Sequence, residues 1–265
     1  MRRVIIAAGI GLVFVSGCGG SSTPPSPVAT GVVIVAPEGV LYLGVTYTFT
    51  ANVQLSNGTT NAAAGTWGSD APSVATVSST GQVQIVGLGE ATIFVDAQGM
   101  RGTRRIRSTV NYAGEIDGAL RVTGCSQSGV FAQNDACDEA SNGTLFRFLG
   151  EFSQNGGNVV VATMDLVDWP AEPVTATVNG AGELRFTSEH RQTDDGLEFV
   201  GTAQWVFRPR GLTQIEGTAV WRMRIAGLAG TWELRGTIPP LSRSAAGSDS
   251  RGARPVADVL RRLRR

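Results

Sequence analysis

From Thr46 to Leu55 polar and apolar residues alternate without a break. Tyr47, Phe49, Ala51, Val53 and Leu55 make one set; Thr46, Thr48, Thr50, Asn52 and Gln54 make the other. Period two places each set on one face of an extended chain, which predicts a strand with one buried face. Asn57-Gly58 follows, a pair that tolerates positive φ and turns the chain. A further strand carries Val74 to Val77, Gly81 breaks the run before Val83 and Ile85, and Ile93 with Val95 marks another. Short strands with turns at this spacing predict a β-sandwich over 28–110.

The pattern continues through 112–239 with eight candidate strands near 119–123, 145–152, 159–167, 174–178, 183–189, 198–207, 213–225 and 230–238. The later ones alternate clearly. Phe199, Gly201, Ala203, Trp205 and Phe207 oppose Glu198, Val200, Thr202, Gln204 and Val206, and Ala219, Trp221, Met223 and Ile225 oppose Thr218, Val220, Arg222 and Arg224. Connections are short, as at Asn155-Gly156-Gly157-Asn158 and Asp194-Asp195-Gly196. Consecutive hairpins make an antiparallel meander, which closes into an eight-stranded barrel or folds into a two-sheet sandwich. Phe186, Phe199, Trp205, Trp221, Met223, Trp232 and Leu234 are expected on its inward face. A barrel of this size is filled by side chains, so the expectation is a mostly solid interior. The other reading has Trp205, Trp221 and Trp232 lining a pocket for a small apolar ligand.

Several motifs within the first unit carry a family resemblance. Leu41-x-Leu43-Gly44, Asn57-Gly58-Thr59, the run from Trp67-Gly68-Ser69-Asp70 to Val77, Gly81-Gln82-Val83 and Gly87-Leu88-Gly89-Glu90 stand in order. Together they resemble the group 2 bacterial immunoglobulin-like domain (BIG2), with Gly68 where that family more often has Ser or Thr. The resemblance implies an immunoglobulin-like sandwich of the kind used as spacer or adhesive module in surface and envelope proteins. The segment has no cysteine, so Trp67 is expected to anchor the core by itself. The second unit is similar to lipocalin-like barrels in strand count and turn economy only, without their Gly-x-Trp signature near Gly118.

The start of the chain has a different pattern. Met1-Arg2-Arg3 precedes about a dozen apolar residues from Val4 to Val15, a length that suits a signal-peptide core and is too short to span a bilayer. Val15-Ser16-Gly17-Cys18 then resembles the lipobox of bacterial lipoproteins. That resemblance implies cleavage of a signal peptide over 1–17, a thioether lipid on Cys18 and acylation of the new N-terminus, holding the protein on a membrane of the cell envelope. Gly19 in place of aspartate points to the outer membrane rather than the inner. Residues 18–27 are rich in Gly, Ser and Pro and read as a flexible tether. Residues 240–265 read as a disordered basic tail. Within it Val256, Val259, Leu260 and Leu263 share a helical face, with arginines opposite.

Composition narrows function mainly by exclusion. The 265 residues carry a formal charge of zero, which gives no basis for a nucleic-acid partner. All basic residues are arginine. Cys125 and Cys137 form an even pair in an exported chain, which predicts a disulfide; their spacing is not that of a redox or metal motif. His190 is the single histidine, placed at a strand end next to Glu189 and Arg191, so neither a triad nor a histidine metal cluster is expected. No catalytic residue, cofactor or metal is assigned. Asp165, Asp168 and Glu172 around Trp169-Pro170 suggest an acid/base pair on a glycan, against the plainer reading of a solvated loop. Arg101, Arg104, Arg105 and Arg107 suggest an anionic ligand, against a solvated edge strand. The expectation is an all-β envelope lipoprotein with a binding or structural role, its partner an envelope protein, a glycan or a small apolar ligand. The alternatives are a glycan-active enzyme and a subunit of an envelope assembly.

Overall fold

The structure is a computed structural model that describes residues 25–166 and 171–242. The leader with Cys18, the Val167–Pro170 stretch with Asp168 and Trp169, and the basic tail from 243 onwards lie outside the described residues.

The first unit has ten strands: β1 (Ala29–Val35), β2 (Leu41–Tyr42), β3 (Thr46–Thr48), β4 (Thr50–Leu55), β5 (Thr60–Ala62), β6 (Thr66–Ser69), β7 (Ala75–Val77), β8 (Gln82–Ile85), β9 (Gly89–Ala97) and β10 (Met100–Thr109). They form small sheets of order β1-β4-β5, β2-β10-β9-β6 and β3-β8-β7. Phe49, Val53, Val83, Ile85, Ile93 and Val95 meet between them, each at most 1% exposed. The alternation of 46–55 holds throughout, yet the strand is not continuous. At Phe49, whose N–H donates to the Gly81 carbonyl, the chain leaves its pairing with β8 and takes up pairing with β1. One buried face is thus kept while the hydrogen-bond partner changes, which is how a sandwich makes a corner.

Trp67 is only half-buried and packs at the margin of this core, against Gly81, where a Cβ would come 3.2 Å from the indole. The fully buried anchor is Phe49, not Trp67, because β6 is a sheet edge paired only with β9. Gly68 has a packing reason: the Phe94 ring lies over it, and a Cβ there would sit 2.2 Å from Cζ. Arg101 covers the same ring, its guanidinium 4.2 Å from the centroid.

The second unit has eight strands and a short helix: β11 (Gly114–Gln127), α1 (Val130–Gln133), β12 (Leu145–Asn155), β13 (Asn158–Asp165), β14 (Val174–Thr177), β15 (Leu184–Asp194), β16 (Leu197–Arg210), β17 (Gln214–Ile225) and β18 (Trp232–Ser242). They form one antiparallel sheet of order β14-β13-β12-β11-β18-β17-β16-β15. First and last strands are therefore neighbours, and bridges Ala171–His190 and Val178–Leu184 draw the remaining edges, β14 and β15, together. This is the meander barrel, nearly closed. β18 runs through Pro239-Pro240 to Ser242, so 240–242 belong to the barrel and not to the tail. A register shift against β17 between Ile215 and Gly217 absorbs the two prolines, which cannot donate to the ladder.

Candidate functional site

Inward positions along β15, β16, β17 and β18 bring Phe186, Phe199, Trp205, Trp221, Met223, Trp232 and Leu234 into the interior, none more than 8% exposed. The rings are spent on one another. Trp205 stacks on Phe207 at 6.2 Å and on Phe186 at 6.4 Å, with Phe148 of β12 tilted against it at 5.3 Å. Trp221 and Trp232 meet at 5.5 Å. Gly201 makes room for one of these rings: a Cβ there would lie 2.7 Å from the Trp221 nitrogen.

A polar cluster sits inside this apolar interior. Trp205 Nε1 donates to Ser188 Oγ at 2.9 Å, and the same hydroxyl is 2.9 Å from His190 Nε2, with both Ser188 and His190 1% exposed. Sequence reasoning placed His190 at a strand end. The structure places it within β15 and bridged to Ala171. Had the strand been carried to the Asp194-Asp195-Gly196 turn, Leu184, Phe186, Ser188 and His190 would have fallen on one inward face by period two. The cluster orients a buried indole and closes its hydrogen bond, the requirement for any buried polar group.

The end away from the first unit is plugged by the segment between β11 and β12. Cys125 and Cys137 are joined by a disulfide. Cys125 Sγ accepts from Trp232 Nε1 at 3.1 Å, and Phe131 of α1 is fully buried. The loop is therefore less polar in effect than its composition suggested. Asp165 ends β13 with a carboxyl oxygen buried, and Glu172 is exposed. Asp168 and Trp169 lie outside the described residues. Among the described residues no group of three His, Cys, Asp or Glu side chains is placed to hold a metal ion.

The other end is joined to the first unit. The Tyr112 hydroxyl donates to the Gly182 carbonyl at 2.7 Å, with the Phe207 carbonyl at 3.2 Å. Gln154 accepts from the Tyr112 N–H at 2.6 Å and donates to the carbonyls of Val110 and Gly156 at 2.8 and 2.7 Å. Gly182, at φ 75°, leaves space for Leu88 and Val110 across the joint, where a Cβ would meet both at 2.6 Å.

Outside, the barrel is strongly polar. Glu183 is clasped by Arg185 and Arg208; the bond to Arg185, then that to Arg208, holds its carboxyl below the usual range against some desolvation. Glu233, between Arg235 and Arg222, is lowered in the same way, by Arg235 first. Arg191 pairs with Glu198, and Arg210 with Glu216. A polar outside around an apolar inside is the inverse of a membrane-spanning barrel, whose outer band is apolar. Among the described residues no helix is long and apolar enough to cross a membrane. In the first unit Arg101 pairs with Asp96 and Arg105 with Glu90, on a strand whose outer side is paired only at Ser108 and Thr109.

The architecture is thus a two-domain all-β protein, a sandwich fastened to a plugged, nearly closed barrel. More particularly, residues 28–104 match the family model of the bacterial Ig-like domain (group 2), and the sandwich is a domain of that family. A search of curated proteins finds no match. Among solved structures the chain is similar to domains 5-6 of the S-layer protein SbsC, at 13% identity and TM-score 0.30, covering 79% of this chain and 98% of that one. It is similar also to SbsC domains 4-9, at 15% identity and TM-score 0.29, covering 79% and 31%. Likenesses of that size carry no weight for role.

Proposed function

We propose that this protein is a lipid-anchored envelope lipoprotein of structural or binding role, in which the Ig-like domain is a spacer that holds the barrel away from the membrane. The observation that supports this is the direction of the chain. Val32 lies against Gly102 and Leu41 pairs in parallel with Ser108, so the chain from β1 to β2 runs the same way as β10, towards the joint. Val28 is therefore at the far end of the sandwich from the barrel. A lipid on Cys18, followed by the tether of 18–27, would put the membrane at that end and the plugged end of the barrel furthest out. Gly19 favours the outer membrane. The buried, mutually packed tryptophans favour recognition by the outer surface of the barrel, by an envelope protein or glycan, over carriage of a small apolar ligand within it.

The test is fractionation with mass spectrometry. The mature protein is expected to begin at Cys18 with diacylglyceryl and acyl mass added, since several chains together anchor stably where one does not. Cys18→Ala is expected in the soluble fraction. A mature N-terminus beyond Cys18 that carries no lipid overturns the reading.

A further inference from the structure

Of the four arginines along β10, two are engaged within the Ig-like domain. Arg101 pairs with Asp96, and Arg105 takes Glu90, the residue directly opposite Arg107 in the β9–β10 ladder. Arg107 is thus left exposed and without an ion pair among the described residues. It lines a cleft of about 160 Å³ at the joint, where β10 faces the β12–β13 turn and the end of β14.

The barrel side of this cleft presents further donors. Asn179 Oδ1 accepts from the Ala181 and Glu183 N–H groups at 3.0 and 2.9 Å, so the amide NH₂ is what this side chain has to give. The Thr177 hydroxyl and the Gly180 N–H line the cleft too, and neither has a partner among the described residues. No carboxylate lines it, and its apolar side chains are Val40 and Val178. A second cleft at the joint, between Leu43, Val45, Ala113 and Leu212, has no charged lining residue, so the charge belongs to this cleft and not to the joint in general. A guanidinium with no protein anion beside it binds an oxyanion through parallel N–H donors. One arginine balances one negative charge, which matches a carboxylate better than a doubly charged phosphate. Hydroxyl, amide and N–H donors beside it suit the oxygens of a sugar, whereas two valines give little footing for an aliphatic acid.

We infer that this cleft binds a uronic acid unit of an acidic glycan, its carboxylate on Arg107 and its hydroxyls on Thr177, Asn179 and Gly180. The ligand thereby bridges the Ig-like domain, which supplies Arg107, and the barrel, which supplies the other three. This deepens the binding role proposed above by naming its ligand class and rests on that reading, but not on the lipid anchor.

The test is titration calorimetry of the full mature protein with trigalacturonate, against neutral maltotriose. The acidic trisaccharide is expected to bind and the neutral one not. Arg107→Gln removes an exposed, unpaired side chain and so keeps the fold; it is expected to weaken binding at least about tenfold. Thr177→Val, which keeps the shape and loses the hydroxyl, is expected to weaken it about fivefold. Arg104→Gln takes the same charge from the same strand outside the cleft. It should leave the affinity within about twofold, since a distant exposed charge is screened. Unfolding midpoints check that all three variants are folded. Absence of trigalacturonate binding overturns the inference. So does an equal loss with Arg104→Gln, which is general charge attraction, and so does equal or tighter binding of inorganic phosphate or of acetyl-dialanine, a peptide carboxylate. None of these outcomes touches the lipid on Cys18, whose absence shows separately in the mass of the mature N-terminus.

Discussion

The Tyr112 hydroxyl reaches across from the linker between the domains to the Gly182 carbonyl, 2.7 Å away, in the β14–β15 turn. This bond is buried and ties the Ig-like domain to the barrel end, where the Gln154 amide holds the linker backbone from the other side. Removing one such bond costs about 1 kcal/mol, more where the partner is left bare. Tyr112→Phe is therefore expected to lower the unfolding free energy by about 1–2 kcal/mol. It is also expected to open the 110–114 linker to limited proteolysis, with the wild type cleaved there more slowly. Calorimetry and a protease time course measure the two effects.

Ser188→Ala removes the acceptor of buried Trp205 Nε1 and the hydroxyl that contacts His190 Nε2. The penalty for a buried group left unsatisfied is about 1–3 kcal/mol. The variant is expected to unfold at lower denaturant with unchanged m-value. Ser188→Thr, which keeps the hydroxyl, should recover part of the loss if the added methyl is accommodated. A wild-type midpoint for the alanine variant would show that the bond contributes nothing.

Gly68 and Phe94 form a coupled pair. Gly68→Ser places a Cβ inside the ring's position and forces it off, along with Arg101 stacked on it. Overpacking of this sort costs about 1–3 kcal/mol. In the Phe94→Ala background the same serine is expected to cost far less, and a double-mutant cycle by urea denaturation gives the coupling.

Acid should weaken the barrel through Glu183 and Glu233. Folding holds both carboxyls below their ordinary value, each by hydrogen bonds from two arginines. A depressed folded value means stability that is fully present above the unfolded value and lost as pH falls through the folded one. The unfolding temperature is thus expected to decline on acidification below the ordinary glutamate range. Glu183→Gln/Glu233→Gln should be less stable at neutral pH and show a shallower decline.

Much of this fold was legible because one face of each strand is buried. In β16 and β17 the alternation around Trp205 and Trp221 set the inward register directly, and the even pair of cysteines, away from any redox or metal spacing, indicated their own bond. What escaped was set by partners distant in sequence. No local pattern shows that Phe49 marks a change of sheet, since its neighbours alternate as in any strand. Trp67 looked like a core anchor because a large ring usually is, but β6 is at an edge. His190 was lost by ending β15 too early. The alternation sets the last strand near 230–238, whereas a bulge against β17 carries it through Pro239-Pro240 to Ser242.

The barrel's eight strands are an even number, each reversing the last, so chain entry at Gly114 and exit at Ser242 fall at the same end, beside the Ig-like domain. The opposite end holds no terminus of the described barrel. Its connections, from the disulfide segment to the Asp195-Gly196 and Gly227 turns, are all returns of the chain upon itself. The exposed hairpin tips among them, at Asp195-Gly196 and Gly227, can change length and composition without moving either the joint or the points where the chain comes and goes, whereas the disulfide segment, with Phe131 buried, cannot. Those two tips are therefore where an insertion is expected to cost the barrel least.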